Sequence, residues 1–404
     1  MLSVKEARGK VLSCSVKHKI KKVSLLDSLG LALAENMVSE DFIPAYDNSA
    51  MDGFAVKAVD IVGADKNYPI KLKLIKQDLP AGKIPENKLE SGYCVQIMTG
   101  APIPEGSDCV VMKEDAIKEG KDVLIFRECK QGENVRYKGE DIKKGDIVIK
   151  KGKKIFPGDI GVMASIGRSE ILVNFPPTVG ILATGSELVE IHEKLETGKV
   201  RDSNSYSLSA QIKEAGACSK RYGIVRDDKE ILKKKIRETL SDCDILLLTG
   251  GVSVGDYDFV KEILDELDAE FVFWRVNQRP GKPMAFLTYK DKFIFALPGN
   301  PVSVMVCFEL YVRPLIKKIM GDKKLLRDTI TARAFYDFKH KEGRTDFIRV
   351  KIEKVEDETY FKSTGMQGSG ILMSMAEADG LAVFPEEIGN IEKNTEIQVY
   401  ILKD

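Results

Sequence analysis

The spacing of apolar residues changes character along the chain. Val4, Ala7, Val11 and Leu12 recur on one helical face, Ser24 to Gly30 is predicted as a second short helix closed by glycine, and residues 31–38 are predicted extended. From 57 to 136 the apolar runs shorten (70–75, 94–98, 109–112, 123–126) and are separated by Gly and Pro, the pattern of a small β-rich module. Helix and turn material returns at 134–172, with a helix opened by Pro157 and ended at Gly167.

From 178 a new order begins. Apolar runs at 179–183, 222–225, 245–248, 271–276, 284–287 and 293–297 alternate with helical segments from Ser203 to Gly216, around Ile231, Leu232, Ile236 and Leu240, after Asp256 and Asp258, and from 301 to about 319. Ile245, Leu246, Leu247 and Leu248 are continuous rather than alternating, as in a strand covered on both faces. Strands alternating with helices predict a mainly parallel, doubly wound sheet. After about 329, period-two alternation at 347–352, 360–362 and 396–398 predicts a small β-barrel-like unit.

The expected architecture is therefore multidomain, α/β and β. Residues 1–45 with 137–172 form an N-terminal mixed domain, 46–136 a β-rich insertion, 173–322 the central doubly wound α/β domain, and 328–404 the C-terminal β domain.

Composition narrows the function classes. Sixty-two basic and 62 acidic residues cancel, so neither nucleic acid nor an anionic membrane is expected as partner. Seven scattered cysteines without a C-x-x-C pair suggest no disulfide framework and no zinc site, and three distant histidines suggest no triad. The charged N-terminus lacks a signal-peptide core, and the longest uncharged stretch, 293–308, is too short to span a bilayer, so a cytoplasmic protein is expected. Chemistry must then rest on carboxylates, backbone amides, Lys and Arg.

Those groups collect where the predicted strands end. Glu187 follows one strand and Asp227 another. Gly250, Gly251, Ser253, Asp256 and Asp258 follow a third, Arg279 and Lys282 flank a fourth, and Pro298-Gly299-Asn300-Pro301 closes a fifth. Open α/β sheets bind ligands at this carboxyl edge. Glycine turns and helix starts favour an oxyanion there, yet the 244–260 segment carries aspartates and no lysine, so an anion needs a bridging cation. Mg2+ held by Glu187, Asp227 and Asp258 would neutralise carboxylate and phosphate oxygens together. Arg279 offers a planar fork and Lys282 a point charge to a tetrahedral oxyanion. A phosphoanhydride so held is cleaved mainly by positioning and electrostatics. Elsewhere, Asn48, Ser49 and Asp52 lie in a polar loop, Thr99 precedes a Pro-braced turn, and Arg344, Arg349 and Ser369 lie in the tail, where solvated strand residues are the simpler reading.

These residues fall within motifs that run in a recognisable order: Asp47-Asn-Ser-Ala-Met-Asp-Gly-Phe-Ala-Val, Met98-Thr-Gly-Ala-Pro, Thr184-Gly-Ser-Glu-Leu, Gly250-Gly-Val-Ser-Val-Gly-Asp-Tyr-Asp, Pro280-Gly-Lys-Pro and Leu297-Pro-Gly-Asn-Pro-Val-Ser. Together they resemble the MoeA family of molybdopterin molybdenumtransferases, which includes the gephyrin E domain. The resemblance implies insertion of molybdate into adenylylated molybdopterin with release of AMP, a Mg2+ requirement, and a homodimer whose cleft joins the α/β domain of one subunit to the insertion of the other. It implies functional roles for Asp52, Thr99, Glu187, Asp227 and Asp258, a shaping role for Pro298 and Pro301, and anion-binding roles for Arg279, Lys282, Arg344 and Ser369. A molybdopterin adenylyltransferase and molybdoenzyme apoproteins are the implied partners. The sequence departs from the family in carrying Arg275 and Arg279 where lysine is common, and Ser186 where aspartate is common. Charge survives in the first two cases, one carboxylate is lost in the third, and molybdate and tungstate both stay open. The alternatives are a related α/β enzyme, either the adenylyltransferase or a nucleotide pyrophosphatase, and a gephyrin-like scaffold.

Overall fold

A computed structural model describes residues 1–226, 228–250 and 257–403, apart from the side chains of Gln77, Tyr257, Asp258 and Phe259. Its centre is a sheet in the order Cys218–Val225, Thr178–Thr184, Ile245–Thr249, Lys292–Leu297, Ala285–Tyr289, Glu270–Trp274. The first four strands are parallel, and Ala285–Tyr289 runs antiparallel to both its neighbours. The continuous apolar run now has its cause. Ile245 and Leu247 face one core with Ile181, Phe295, Leu208 and Val304, whereas Leu246 and Leu248 face a second with Leu182, Ile294, Ile236 and Ile263. Alternate side chains enter opposite layers, both dry, so Ile245 to Leu248 are all apolar and the first polar residue is Thr249 at the strand end. Helices Asn204–Glu214 and Pro301–Cys307 cover the first face, and Lys229–Asp242 and Tyr257–Glu266 the second. Asp228 Oδ1 caps Lys229–Asp242 by accepting from Ile231 N at 2.9 Å.

The expected apolar helix to 319 is real but interrupted. Pro301–Cys307 passes through a π-helical turn, Phe308–Val312, into Arg313–Ile319. Pro314 has no N–H to give the preceding turn, which accounts for the widening.

Two expectations for the N-terminal part are corrected. The segment read as a second helix, Ser24 to Gly30, holds only a single 3₁₀ turn, Leu26–Ser28, and follows a strand, Lys19–Ser24, that pairs antiparallel with Glu170–Phe175. Leu26 and Leu29 are 78% and 55% exposed, so a helix here has no face to bury. The first helix, Val4–Ser13, places Ala7 and Val11 in the core of the α/β domain rather than against 137–172. Residues 19–38 and 142–175 do share a core, through Leu33, Met37, Ile142, Ile149 and Met163.

A narrow neck carries the β-rich module. Ile43 N donates to Ile142 O at 2.8 Å and Gly139 N to Pro44 O at 2.9 Å. Beyond it lies a six-stranded sheet, Cys109–Met112, Gly53–Val56, Tyr93–Ile97, Ile70–Leu79, Asp122–Ile125, Ala116–Glu119, closed over Phe54, Leu72 and Val111. The C-terminal unit is a closed five-stranded barrel. Thr345–Val355, Glu358–Ser363, Thr329–Ala334, Glu396–Ile401 and Gly380–Phe384 follow in order, and the last pairs back onto the first. Closure removes the free edges that so short a sheet would otherwise expose. Among the described residues no helix is long and apolar enough to cross a membrane, and the seven cysteines are all free.

Candidate active site

The four parallel strands end together, at Val225, Thr184, Thr249 and Leu297. Their ends are tied by short bonds. Gly185 N donates to Val225 O at 3.2 Å and Thr184 Oγ1 to Thr249 O at 3.3 Å. Gly250 has φ +83°, and a Cβ there would overlap the Thr184 carbonyl oxygen; the Cβ position of Gly299 lies 3.9 Å from Gly250 Cα. Glycine is thus required where two loop backbones close on each other. Glu187 folds back over Gly185, its Oε2 standing 2.6 Å from where a Cβ would be. In the last loop Pro298 is buried, Gly299 and Asn300 are exposed, and Pro301 opens the helix. The amide of Val302 donates to Ser369 O at 3.1 Å, so this helix start is partly committed to the C-terminal domain.

Two acceptors beside this edge have no donor. Asp202 is 2% exposed. Its Oδ1 accepts from Ser205 N at 3.0 Å, while its Oδ2 is enclosed without a hydrogen-bond partner. Asn204 Nδ2 donates to Gly299 O at 2.8 Å, which fixes the amide orientation and leaves Oδ1 likewise enclosed and unpartnered. Buried oxygens without donors are rare in folded chains and mark places where something else supplies the N–H. Neither residue stands out in the sequence beyond resembling an ordinary helix cap.

The positive side of the site comes from a different junction. Strand Gln278–Arg279 adds in parallel to the barrel strand Thr345–Val355, setting Arg279 opposite Asp346. Asp346 is 2% exposed and forms an ion pair with Arg279; Arg344 Nε approaches its Oδ1 at 3.3 Å and His340 Nε2 its Oδ2 at 3.5 Å. Arg279 and Arg344 therefore meet, as their shared anion-binding reading requires, around a carboxylate that any incoming oxyanion must share. The Arg279-to-Lys282 loop is anchored beneath. Gln278, wholly buried, donates through Nε2 to Pro280 O at 2.9 Å and accepts from the hydroxyl of Tyr311, which sits in the π turn. Lys282 is exposed, with no carboxylate within ion-pair distance among the described residues.

Arg349 corrects the reading of the tail as solvated strand. It is 1% exposed. Its Nε donates to Ser374 Oγ at 3.1 Å and an Nη to Gly368 O at 3.0 Å, and among the described residues no carboxylate pairs with it. Burial, and secondarily Arg279, pull its pKa down to about 10. Phe347, two residues earlier on the same face, is part of the central-domain core, so this outer barrel face is covered by the α/β domain. Period-two alternation could place Arg349 beside Phe347; it could not reveal that cover.

Asp52 and Thr99, 47 residues apart, are partners: Asp52 Oδ1 accepts from both Thr99 N and Thr99 Oγ1 at 2.9 Å. The backbone bond first, then the hydroxyl, hold the Asp52 carboxyl below its usual range. Asn48 and Ser49 are buried in a two-residue strand paired with Val135–Arg136, a structural role rather than a free loop. Within one chain the structure does not bring Asp52 and Thr99 to the sheet edge. Among the described residues no hydrogen bond or ion pair joins 46–136 to 173–322. Asp227, Gly251, Ser253, Asp256 and the side chain of Asp258 lie outside the described residues.

Comparison with known proteins agrees with this layout. Residues 2–167 match the family model for the MoeA N-terminal region (domain I and II), 180–318 that for a probable molybdopterin binding domain, and 331–402 that for the MoeA C-terminal region (domain IV). A molybdopterin molybdenumtransferase of Staphylococcus epidermidis is 36% identical over 95% of this chain and 91% of its own. One of Bacillus subtilis is 34% identical over 100% of this chain and 94% of its own. A crystal structure of a molybdopterin biosynthesis MoeA protein of Pyrococcus horikoshii superposes with a TM-score of 0.87 at 30% identity, covering 100% of both chains. On sequence, domain order and fold together, the chain belongs to the MoeA family of molybdopterin molybdenumtransferases.

Proposed function

We propose that this protein acts in molybdenum cofactor biosynthesis by inserting molybdate into adenylylated molybdopterin with release of AMP, in the cytoplasm and as a homodimer. The observation that carries the reading is the pairing of two unlike walls. An acid- and glycine-lined sheet edge, with Glu187 and Gly250, is one; a guanidinium cluster of Arg279, Arg344 and Arg349 at the barrel junction is the other. Carboxylates with a metal suit the phosphate end of the substrate, and guanidinium groups suit a tetrahedral metal oxyanion. Lys282, exposed and three residues on from Arg279, adds a further positive charge. The enclosed, donor-less Asp202 Oδ2 and Asn204 Oδ1 suit the N–H edge of an aminopyrimidinone such as the pterin carries.

Glu187, Asp227 and Asp258 are the residues assigned to Mg2+. The described member of the set fits: Glu187 is a hard-oxygen donor folded against a glycine whose absent Cβ makes room for it. Glu187, with Asp227 and Asp258, would hold the ion, and its positive charge would offset the negative charge of the phosphate end of the substrate. The chain's own part is to hold the phosphate against the Gly250 bend and the oxyanion against Arg279 and Arg349, so that the two reacting ends stay in one orientation. Asp52 and Thr99, without a bond to the α/β domain of their own chain among the described residues, are assigned to the partner subunit's cleft.

The test is purified protein supplied with adenylylated molybdopterin, Mg2+ and molybdate. AMP release that depends on molybdate is expected. Release independent of molybdate would point to a nucleotide pyrophosphatase, and no release at all defeats the proposal.

A further inference from the structure

A second concave site lies at the other end of the same helical run. It is a cavity of about 600 Å3 walled by three parts of the chain: Lys153 and Lys154 of the N-terminal body, Arg313 and Lys317 of the helix after the π turn, and the 322–328 connector leading into the barrel. With Pro301 at the sheet edge and Lys317 sixteen residues on, the two sites stand roughly 24 Å apart at 1.5 Å per helical residue. It is not part of the cleft described above.

Charge in this cavity is one-sided. Seven basic side chains line it against three acidic ones, and each acid is already taken. Glu214 pairs with Arg327 at 2.6 Å, Asp322 with Lys317 at 3.1 Å, and Asp328 with Lys324. Lys153 is held by Asp159 at 2.5 Å. Lys154 and Lys323 are exposed, with no carboxylate within ion-pair distance among the described residues.

Arg313 supplies an independent sign. Its Nε is enclosed and has no hydrogen-bond partner. Glu309 Oε2, its paired carboxylate, stands 3.7 Å away and is bound more closely by Arg327, at 2.8 Å. Burial first, then the neighbouring Arg327, lowers the Arg313 pKa, because Glu309, Glu214 and Asp322 offset the two only in part. An anion would give the Nε an acceptor and relieve the repulsion.

We propose that this cavity binds a small polyphosphate group, as carried by nucleoside diphosphates or by free pyrophosphate. Lys154 and Lys323 provide the charge left over after internal pairing, and Arg313, which shares Glu309 with Arg327, adds part of its own. The volume exceeds what a single phosphate fills and lies in the range of small-molecule sites. Cations spread over three walls match an anion with several oxygens better than a point charge, and Arg313 contributes the fork geometry. A ligand held by all three walls also braces the barrel against the α/β domain.

The probe is inorganic pyrophosphate, with ADP in a parallel arm, titrated calorimetrically into protein carrying Arg279→Ala and Lys282→Ala, which removes two cations of the substrate cleft. Saturation at one pyrophosphate per chain is expected. Adding Lys154→Glu and Lys323→Glu, both at exposed positions and checked for folding by circular dichroism, is expected to weaken binding at least tenfold. ADP binding with the same sensitivity identifies a nucleotide as the source, and pyrophosphate binding alone identifies a free polyphosphate. The proposal is overturned if no saturable binding occurs, if the two charge reversals leave the affinity unchanged, or if a polyglutamate peptide binds while pyrophosphate does not.

Discussion

Arg279 and Asp346 face each other in register across a domain boundary, and their side chains form an ion pair there. One belongs to a loop of the α/β domain and the other to a barrel strand, so a contact between backbones sets the position of a cation in the cleft. Asp346 is also approached by Arg344 and His340. Replacing it by Asn keeps the shape and removes the charge that holds three donors together. Because Arg279 is half-exposed, water compensates part of the loss. Asp346→Asn is expected to cost about 2 kcal/mol of stability, read from urea denaturation. It is also expected to lower molybdate-dependent AMP release.

The loop that carries Arg279 rests on a buried hydrogen-bond chain. Tyr311 and Gln278 are both 0% exposed, and the tyrosine hydroxyl is the donor to Gln278 Oε1. Tyr311→Phe leaves that oxygen enclosed without a donor, an expected cost of about 1–3 kcal/mol. The loosened loop is expected to raise the apparent KM for molybdate more than it changes kcat. An unchanged melting midpoint would show that Gln278 finds another donor.

Gly250 combines φ +83° with direct contact between its Cα side and the Thr184 carbonyl. Gly250→Ala therefore meets both a left-handed backbone and an overlap with main chain that cannot rotate away. A loss of more than about 2 kcal/mol is expected. A shift of the edge loops by about 1 Å is expected to reduce turnover by roughly a hundredfold. Equal activity in the purified variant would show that this bend does not position substrate.

Asp52 offers a pH test. Its carboxyl is lowered by Thr99, first through the backbone N–H and then through the hydroxyl. A folded pKa below the unfolded value, about 3.9, means that the pair stabilises above that pH and loses its contribution as pH falls through the folded pKa. Carboxyl-carbon NMR titration is expected to find Asp52 below the ordinary aspartate range. In Thr99→Ala it should move up yet stay below that range, because the backbone donor remains. No movement would show that the Thr99 hydroxyl contributes nothing to the lowering.

What the sequence settled by itself is the layering. The unbroken apolar run Ile245 to Leu248, the helices that follow each strand, and the glycines at strand ends sufficed to predict a doubly wound sheet with a polar carboxyl edge, because periodicity reports directly which faces are dry. At Ser24 to Gly30 the same reasoning failed: Leu26 and Leu29 stay exposed, and only the single 3₁₀ turn Leu26–Ser28 forms after strand Lys19–Ser24, whose partner Glu170–Phe175 lies far away in the chain. The site divides in the same manner. Glu187, Gly250 and the Pro298–Pro301 loop were legible as strand ends. The burial of Arg349 and the meeting of Arg279 with Asp346 arose only when the barrel docked on the α/β domain, and the donor-less oxygens of Asp202 and Asn204 only when the α/β domain itself packed. Local patterning records how each element covers itself. Desolvation and ion pairing at a junction depend on surfaces that two distant segments present to each other, and no window of the chain contains both.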